Sequence, residues 1–183
     1  MDRSLVELAQ GGDRDAFAGL VRAVGDPFFA LAYRILRDAD AAQDAYQETM
    51  IIVRRQLPAL RDVDRFDAWA RRILVNRCYA ETRRRSRWSV PSSVDPITEP
   101  RAASTEPAID DRDELEQAFR SLSVEHRAVF VLHHHVGLPL VEVARTLDIP
   151  EGTARSRLHY AIRALRRALD VDPAPRPAPE AVA

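Results

Sequence analysis

Apolar side chains recur every three or four positions through most of this 183-residue chain. Such a period indicates amphipathic helices, and no stretch alternates apolar and polar residues for long enough to predict a strand. In the first half of the chain, the pattern predicts helices near Ser4–Gln10, Arg14–Arg37, Ala39–Gln56 and Phe66–Arg87. The sequence therefore predicts an all-α protein.

Capping and breaking residues refine these boundaries. Asp13 and Asp38 stand where the N-caps of the second and third helices are expected, and Pro58 follows the third helix. Pro27 lies inside the second helix, where a proline removes a backbone hydrogen bond. We therefore expect a kink or a break at Pro27, and two shorter helices are the alternative.

A change in composition divides the chain into two helical blocks. Residues 88–112 contain four prolines and several Ser and Thr residues without periodicity, which predicts a flexible linker. Residues 171–183 are rich in Pro and Ala and are predicted to be disordered. The prediction is thus two small helical domains, residues 1–87 and 113–170, joined by the linker and followed by the tail.

The second block contains a pair of short helices separated by a tight break. Pro139 and Pro150 stand near the two helix starts, where a missing N–H costs little. Gly152 is expected to relax the turn, and Thr153 is the expected N-cap of the second helix. Apolar residues occupy one side of that helix and leave the other side to Arg155, Ser156, His159, Tyr160 and Arg163. This pattern is typical of a helix-turn-helix that reads a DNA major groove, and a structural helical hairpin is the alternative.

The formal net charge is −1, but the charges are unevenly distributed. Residues 71–87 carry seven arginines against one acid, and residues 155–167 carry five arginines and no acid. Acids gather instead in residues 38–48 and 106–116. Basic stripes beside acidic patches are expected of a protein that contacts both DNA and another protein.

Other classes of protein lack support in the sequence. No apolar run approaches the length of a membrane span, and the charged N-terminus does not resemble a secretory signal, so we expect a cytoplasmic protein without stable membrane insertion.

Cys78, the only cysteine, is predicted to be buried, with a redox sensor as the alternative. Residues 133–135 are consecutive histidines that point about 100° apart on a helix, so they cannot share one metal ion. We predict no metal site, no cofactor and no catalytic site.

Three segments carry a resemblance to a known family. They read DAYQETMIIVRR at residues 44–55, FDAWARRILVNRCYAETRRRSR at residues 66–87 and LEQAFRSLSVEHRAVFVLHHHVGLPLVEVARTLDIPEGTARSRL at residues 115–158. In this order they resemble regions 2 and 4 of the extracytoplasmic-function (ECF) sigma factors, which belong to the sigma-70 type. The resemblance implies a subunit that binds core RNA polymerase and directs promoter-specific initiation at −10 and −35 elements.

The resemblance also implies roles for particular residues. One helical face would bind the clamp helices of the polymerase β′ subunit through Asp44, Gln47, Glu48 and Arg55, with a merely solvated surface as the alternative. The −10 element would be contacted and melted by Arg71, Arg72, Asn76, Arg77, Arg83, Arg84 and Arg85. The loop of residues 58–65 would hold a flipped base. The polar side of the second helix in the helix-turn-helix would read the −35 element, and the domain of residues 113–170 would contact the β flap.

The resemblance further implies control by an anti-sigma factor and association with the nucleoid when the protein is active. A stand-alone helix-turn-helix regulator is a second hypothesis, which would require DNA affinity without polymerase and a palindromic site. An enzyme with a DNA-binding appendage is a third, and no catalytic constellation in the sequence supports it.

Overall fold

The computed structural model describes residues 1–88 and 111–168, so the predicted linker and tail lie almost entirely outside the described residues. Within those two ranges there is no strand, and the all-α prediction is confirmed. The α-helices are α1 Arg3–Gln10, α2 Arg14–Leu36, α3 Ala39–Gln56, α4 Phe66–Trp88, α5 Asp111–Ser121, α6 Val124–Phe130, α7 Leu140–Leu147 and α8 Glu151–Ala168. Short connecting turns are two 3-10 turns, Leu57–Ala59 and Val63–Arg65, and one π turn, Val131–His135.

Side-chain caps fix where the helices begin. The Asp13 carboxylate accepts hydrogen bonds from the backbone N–H groups at the start of α2, and Asp38 does the same for α3. Ser123 caps α6 by accepting from the N–H of His126. Each cap satisfies an N–H that has no partner inside its helix, and the positions of Asp13 and Asp38 agree with the sequence pattern.

The expected break at Pro27 does not occur, because α2 continues through the proline as one helix. The N–H that Pro27 lacks would have bonded the carbonyl of Ala23, and both residues lie on the exposed side, where water can satisfy that carbonyl. On the opposite side, buried apolar residues on either side of the proline, such as Val24 and Phe28, hold the helix against its neighbours.

Helix α2 forms the centre of the N-terminal domain, and α1, α3 and α4 pack around it. By length and composition alone α2 could cross a membrane, but one side of the helix is buried in the protein core. The large buried residues on that side are Leu20, Val24, Phe28, Leu31 and Ile35.

The helix-turn-helix forms from α7 and α8, but its turn differs from the expectation. The left-handed residue is Asp148, with φ of 56°, while Gly152 lies within α8. Thr153 is likewise inside α8, which begins at Glu151 directly after Pro150. Asp tolerates the left-handed conformation better than most residues, so Asp148 can supply the turn between the helices for which Gly152 was expected.

The two domains pack against each other, a contact that the sequence did not predict. Helices α6 and α7 lie against α4, and α6 and the π turn lie against α2. One apolar cluster crosses the boundary and joins Leu31 and Val75 of the N-terminal domain to Leu132, Val143 and Leu147 of the C-terminal domain. We call this boundary the interdomain seam.

Candidate functional site

One face of α3 collects the residues that the sequence assigned to polymerase binding. Asp44, Gln47, Glu48 and Arg55 are all exposed, while the opposite side of α3 is buried against the core. Ile51 lies between them and is 67% exposed, the most exposed of the large apolar residues in the described part of the chain. Sequence reasoning missed Ile51, although its spacing of three residues from Glu48 could have placed it on this face.

The two acids of the α3 face are only loosely held by the protein itself. Asp44 lies 3.4 Å from an Arg84 guanidinium nitrogen, and Glu48 lies 3.6 Å from one of Arg77. Both carboxylates are about half exposed, and such long surface pairs contribute little stability. The acids are therefore free to form hydrogen bonds with a cationic partner.

The residues assigned to the −10 element divide into separate groups on α4. At 100° per residue, Arg72, Asn76 and Arg83 fall within about 40° of one another, and all three are exposed. We call these three residues the α4 stripe. Trp69 is half-buried and lies one helical turn before Arg72, on roughly the same side of the helix. The stripe is the part of the predicted set that one DNA strand could contact together.

The remaining arginines of α4 point elsewhere. Arg77 and Arg84 face α3, Arg85 reaches Asp38 at 2.5 Å, and Arg71 is half-buried. Arg84 and Arg85 also donate to Glu81, which is only 6% exposed, with each Nε 2.8 Å from a carboxylate oxygen. These hydrogen bonds, chiefly that from Arg84, lower the pKa of Glu81 below its ordinary value. This part of the arginine cluster is therefore also a structural network.

Helix α8 presents the predicted −35 residues on one exposed face. Its opposite side is buried through Ala154, Leu158, Ala161 and Leu165. The exposed residues are Arg155, Ser156, His159, Tyr160 and Arg163. Arg155 is paired with Glu151 of the preceding turn at 2.7 Å, so its guanidinium is already oriented at the N-terminal end of the helix.

Tyr160 has a ring partner that the sequence did not reveal. Its ring is 56% exposed and stacks on His126 of α6, with centroids 4.3 Å apart and planes inclined by 25°. Nδ1 of His126 lies 2.9 Å from the Ser123 hydroxyl, so the imidazole is anchored to the cap of its own helix. Burial lowers the pKa of His126, and the positive charge of Arg157 acts in the same direction. A neutral imidazole therefore supports one edge of the α8 face.

Other titratable residues have structural surroundings. Nδ1 of His133 lies 2.8 Å from the carbonyl oxygen of Leu138, and residues 1–88 and 111–168 contain no cluster of three metal-ligating side chains. Cys78 is fully buried, as predicted, and burial raises the pKa of its thiol to about 12. A thiol with such a pKa is almost entirely protonated at neutral pH.

Comparisons with known proteins agree with this arrangement. Residues 20–88 match the family model for Sigma-70 region 2, and residues 118–167 match that for Sigma-70, region 4. The ECF RNA polymerase sigma factor SigL of Mycobacterium tuberculosis is 34% identical over 165 residues, covering 86% of this chain and 93% of SigL. The RNA polymerase sigma-H factor of Pseudomonas aeruginosa is 31% identical over 181 residues, covering 92% of this chain and 93% of that protein.

Solved structures show the same fold. CnrH, in complex with the cytosolic domain of CnrY, aligns with a TM-score of 0.66 and 24% identity, covering 94% of this chain and 99% of CnrH. The sigma factor RpoE of Bartonella quintana, in complex with the anti-sigma factor NepR, aligns with a TM-score of 0.67 and 24% identity, covering 86% and 98%. Together with the two matched regions and the relatives above 30% identity, the order of the domains shows that the chain belongs to the ECF subfamily of bacterial RNA polymerase sigma factors.

Proposed function

We propose that three separate faces of this sigma factor perform its three binding steps. The observation that carries the proposal is that one short chain exposes an acidic, partly apolar face on α3 and two cationic faces, on α4 and α8. A stand-alone DNA-binding protein has no need of the first face, whereas a polymerase subunit needs all three. The protein would act as a non-enzymatic specificity subunit in the cytoplasm, on the nucleoid when active.

The α3 face is proposed to bind the clamp helices of the polymerase β′ subunit. Asp44, Gln47 and Glu48 offer carboxylate and amide oxygens to basic side chains, and charge-assisted hydrogen bonds of this kind are about twice as strong as neutral ones. Ile51 adds an apolar contact at the centre of the face, which agrees with the usual anatomy of an interface. Arg55 marks the far end of the same surface.

The α4 stripe is proposed to contact and help melt the −10 element. Arginines bind phosphates and release counterions, and the amide of Asn76 can bond a base edge. Arg77 and Arg84 can join these contacts if polymerase binding draws Glu48 and Asp44 away from them. Arg71 and Arg85 remain predicted to contact the −10 element. Arg85 would first have to leave the carboxylates of Glu81 and Asp38.

The exposed face of α8 is proposed to read the −35 element in duplex form, while the same domain contacts the β flap. Ser156, His159 and Tyr160 can reach base edges or a thymine methyl group, and Arg155 and Arg163 can reach guanine or phosphate. Two modest DNA contacts on one chain gain effective concentration when polymerase holds both in place. The isolated protein should therefore bind promoter DNA weakly.

Control by an anti-sigma factor is part of the proposal. The Bartonella RpoE is seen in complex with the anti-sigma factor NepR, and CnrH is seen in complex with the cytosolic domain of CnrY. A partner that covers the α3 face would block the step on which both DNA contacts depend. The proposal does not require any particular stimulus.

Footprinting of the holoenzyme on its promoter tests these assignments. Alanine at Arg72 and Arg83 should remove protection over the −10 element alone, and alanine at Ser156 and Arg163 should remove it over the −35 element alone. Alanine at Arg166, which is exposed near the end of α8, serves as a matched control. Equal loss at both elements from either pair, with the fold intact, would contradict the assignment. Strong binding of the free protein to a palindromic site would favour the stand-alone regulator.

A further inference from the structure

The stacked pair on the C-terminal domain points to a residue that sets promoter preference without touching DNA. Tyr160 projects from the proposed −35 face, and an exposed tyrosine would normally sample several rotamers. The imidazole of His126 covers one side of its ring at 4.3 Å, and the Ser123 hydroxyl fixes that imidazole. Because the Ser123 hydroxyl holds the imidazole and the imidazole stacks on the Tyr160 ring, that ring has a defined orientation.

We propose that His126 is a positioning residue for Tyr160 and thereby determines base preference within the −35 element. The inference rests on the proposed role of the α8 face. Restricting an aromatic side chain before DNA binds reduces the entropy lost on binding and penalises bases that would need another ring position. Ring stacking of this kind contributes enough to change a binding ratio by roughly 3- to 10-fold.

Initiation from promoters with a randomised −35 element, using core polymerase and the full chain, tests this role. His126→Ala should reduce discrimination between bases by about 3- to 10-fold at the positions that Tyr160→Ala affects, and nowhere else. The double variant should be no worse than Tyr160→Ala alone, because that single variant already removes the ring that His126 positions. His126→Phe should restore part of the wild-type profile, since phenylalanine can stack on Tyr160 but cannot bond the Ser123 hydroxyl.

Two other outcomes would contradict different parts of the account. An unchanged base profile for His126→Ala, or an equal loss at every position, would overturn the positioning role while leaving the α8 face intact. Wild-type initiation that does not depend on the −35 sequence would instead contradict the proposed function of α8. Thermal unfolding of each variant separates these outcomes from loss of the fold.

Discussion

Removing both acids of the α3 face should separate polymerase binding from stability. Asp44 and Glu48 have side chains that are 51% and 54% exposed, and their ion pairs with α4 measure 3.4 and 3.6 Å. Exposed pairs of this kind contribute about 0–1 kcal/mol each, and alanine has a higher helix propensity than either acid. We therefore expect the free energy of unfolding of the double alanine variant to change by less than about 1 kcal/mol.

The effect on polymerase binding should be much larger. Each carboxylate would lose a charge-assisted hydrogen bond of about 1–3 kcal/mol at a largely desolvated interface. Two such losses amount to roughly 2–6 kcal/mol, or a roughly 30- to 20,000-fold weaker complex at about 1.4 kcal/mol per tenfold. The structure thus predicts a large loss of affinity without a matching loss of stability.

Titration of labelled protein with core polymerase, paired with urea unfolding, measures both quantities. Asp40→Ala is the matched control, because Asp40 is an exposed acid in the first turn of the same helix. The Asp40→Ala variant should bind polymerase with an affinity within about threefold of wild type, since it loses none of the proposed contacts. The reasoning would be refuted if the Asp44 and Glu48 double variant were folded and still bound polymerase as tightly as the control.

Three further predictions follow from local environments. Glu81→Gln should lower the free energy of unfolding by about 1 kcal/mol at neutral pH, because the partly exposed Arg84 and Arg85 stabilise the charged form. The folded pKa of Glu81 lies below its ordinary 4.5, so the difference in free energy of unfolding between wild type and variant should be complete above about pH 5. It should disappear as the pH falls through the lowered pKa, which acid denaturation of both proteins measures. Cys78 should resist alkylation at pH 8 in the native protein and react only after unfolding, as mass spectrometry would show; prompt native labelling would contradict its burial. Ile51→Ala should weaken polymerase binding several-fold in the same titration with unchanged urea midpoint, and an unchanged affinity would exclude Ile51 from the interface.

Periodicity and capping chemistry predicted the helices because those signals are local. Asp13, Asp38 and Ser123 each satisfy backbone groups within their own first turn, so no tertiary information was needed to place them. Pro27 was misjudged because its effect depends on whether the freed carbonyl faces water, and that is decided by packing. Gly152 was misjudged because Asp can also supply a left-handed residue.

The candidate faces were only partly predictable. Spacing placed the α3 and α8 residues on single helical sides, and the structure exposes those sides. The arginines of α4 follow each other too closely to share one side, so which of them remain available depends on their distance from Asp44, Glu48 and Asp38. Contacts between distant segments, such as His126 with Tyr160, leave no trace in periodicity.

Transcription in vitro with purified bacterial core polymerase, with and without the protein, on a genomic promoter library tests the central claim most directly. The account predicts new, discrete start sites that share −10 and −35 elements and that disappear with the Asp44 and Glu48 double alanine variant. No initiation, together with sequence-dependent binding of duplex DNA by the protein alone, would contradict it.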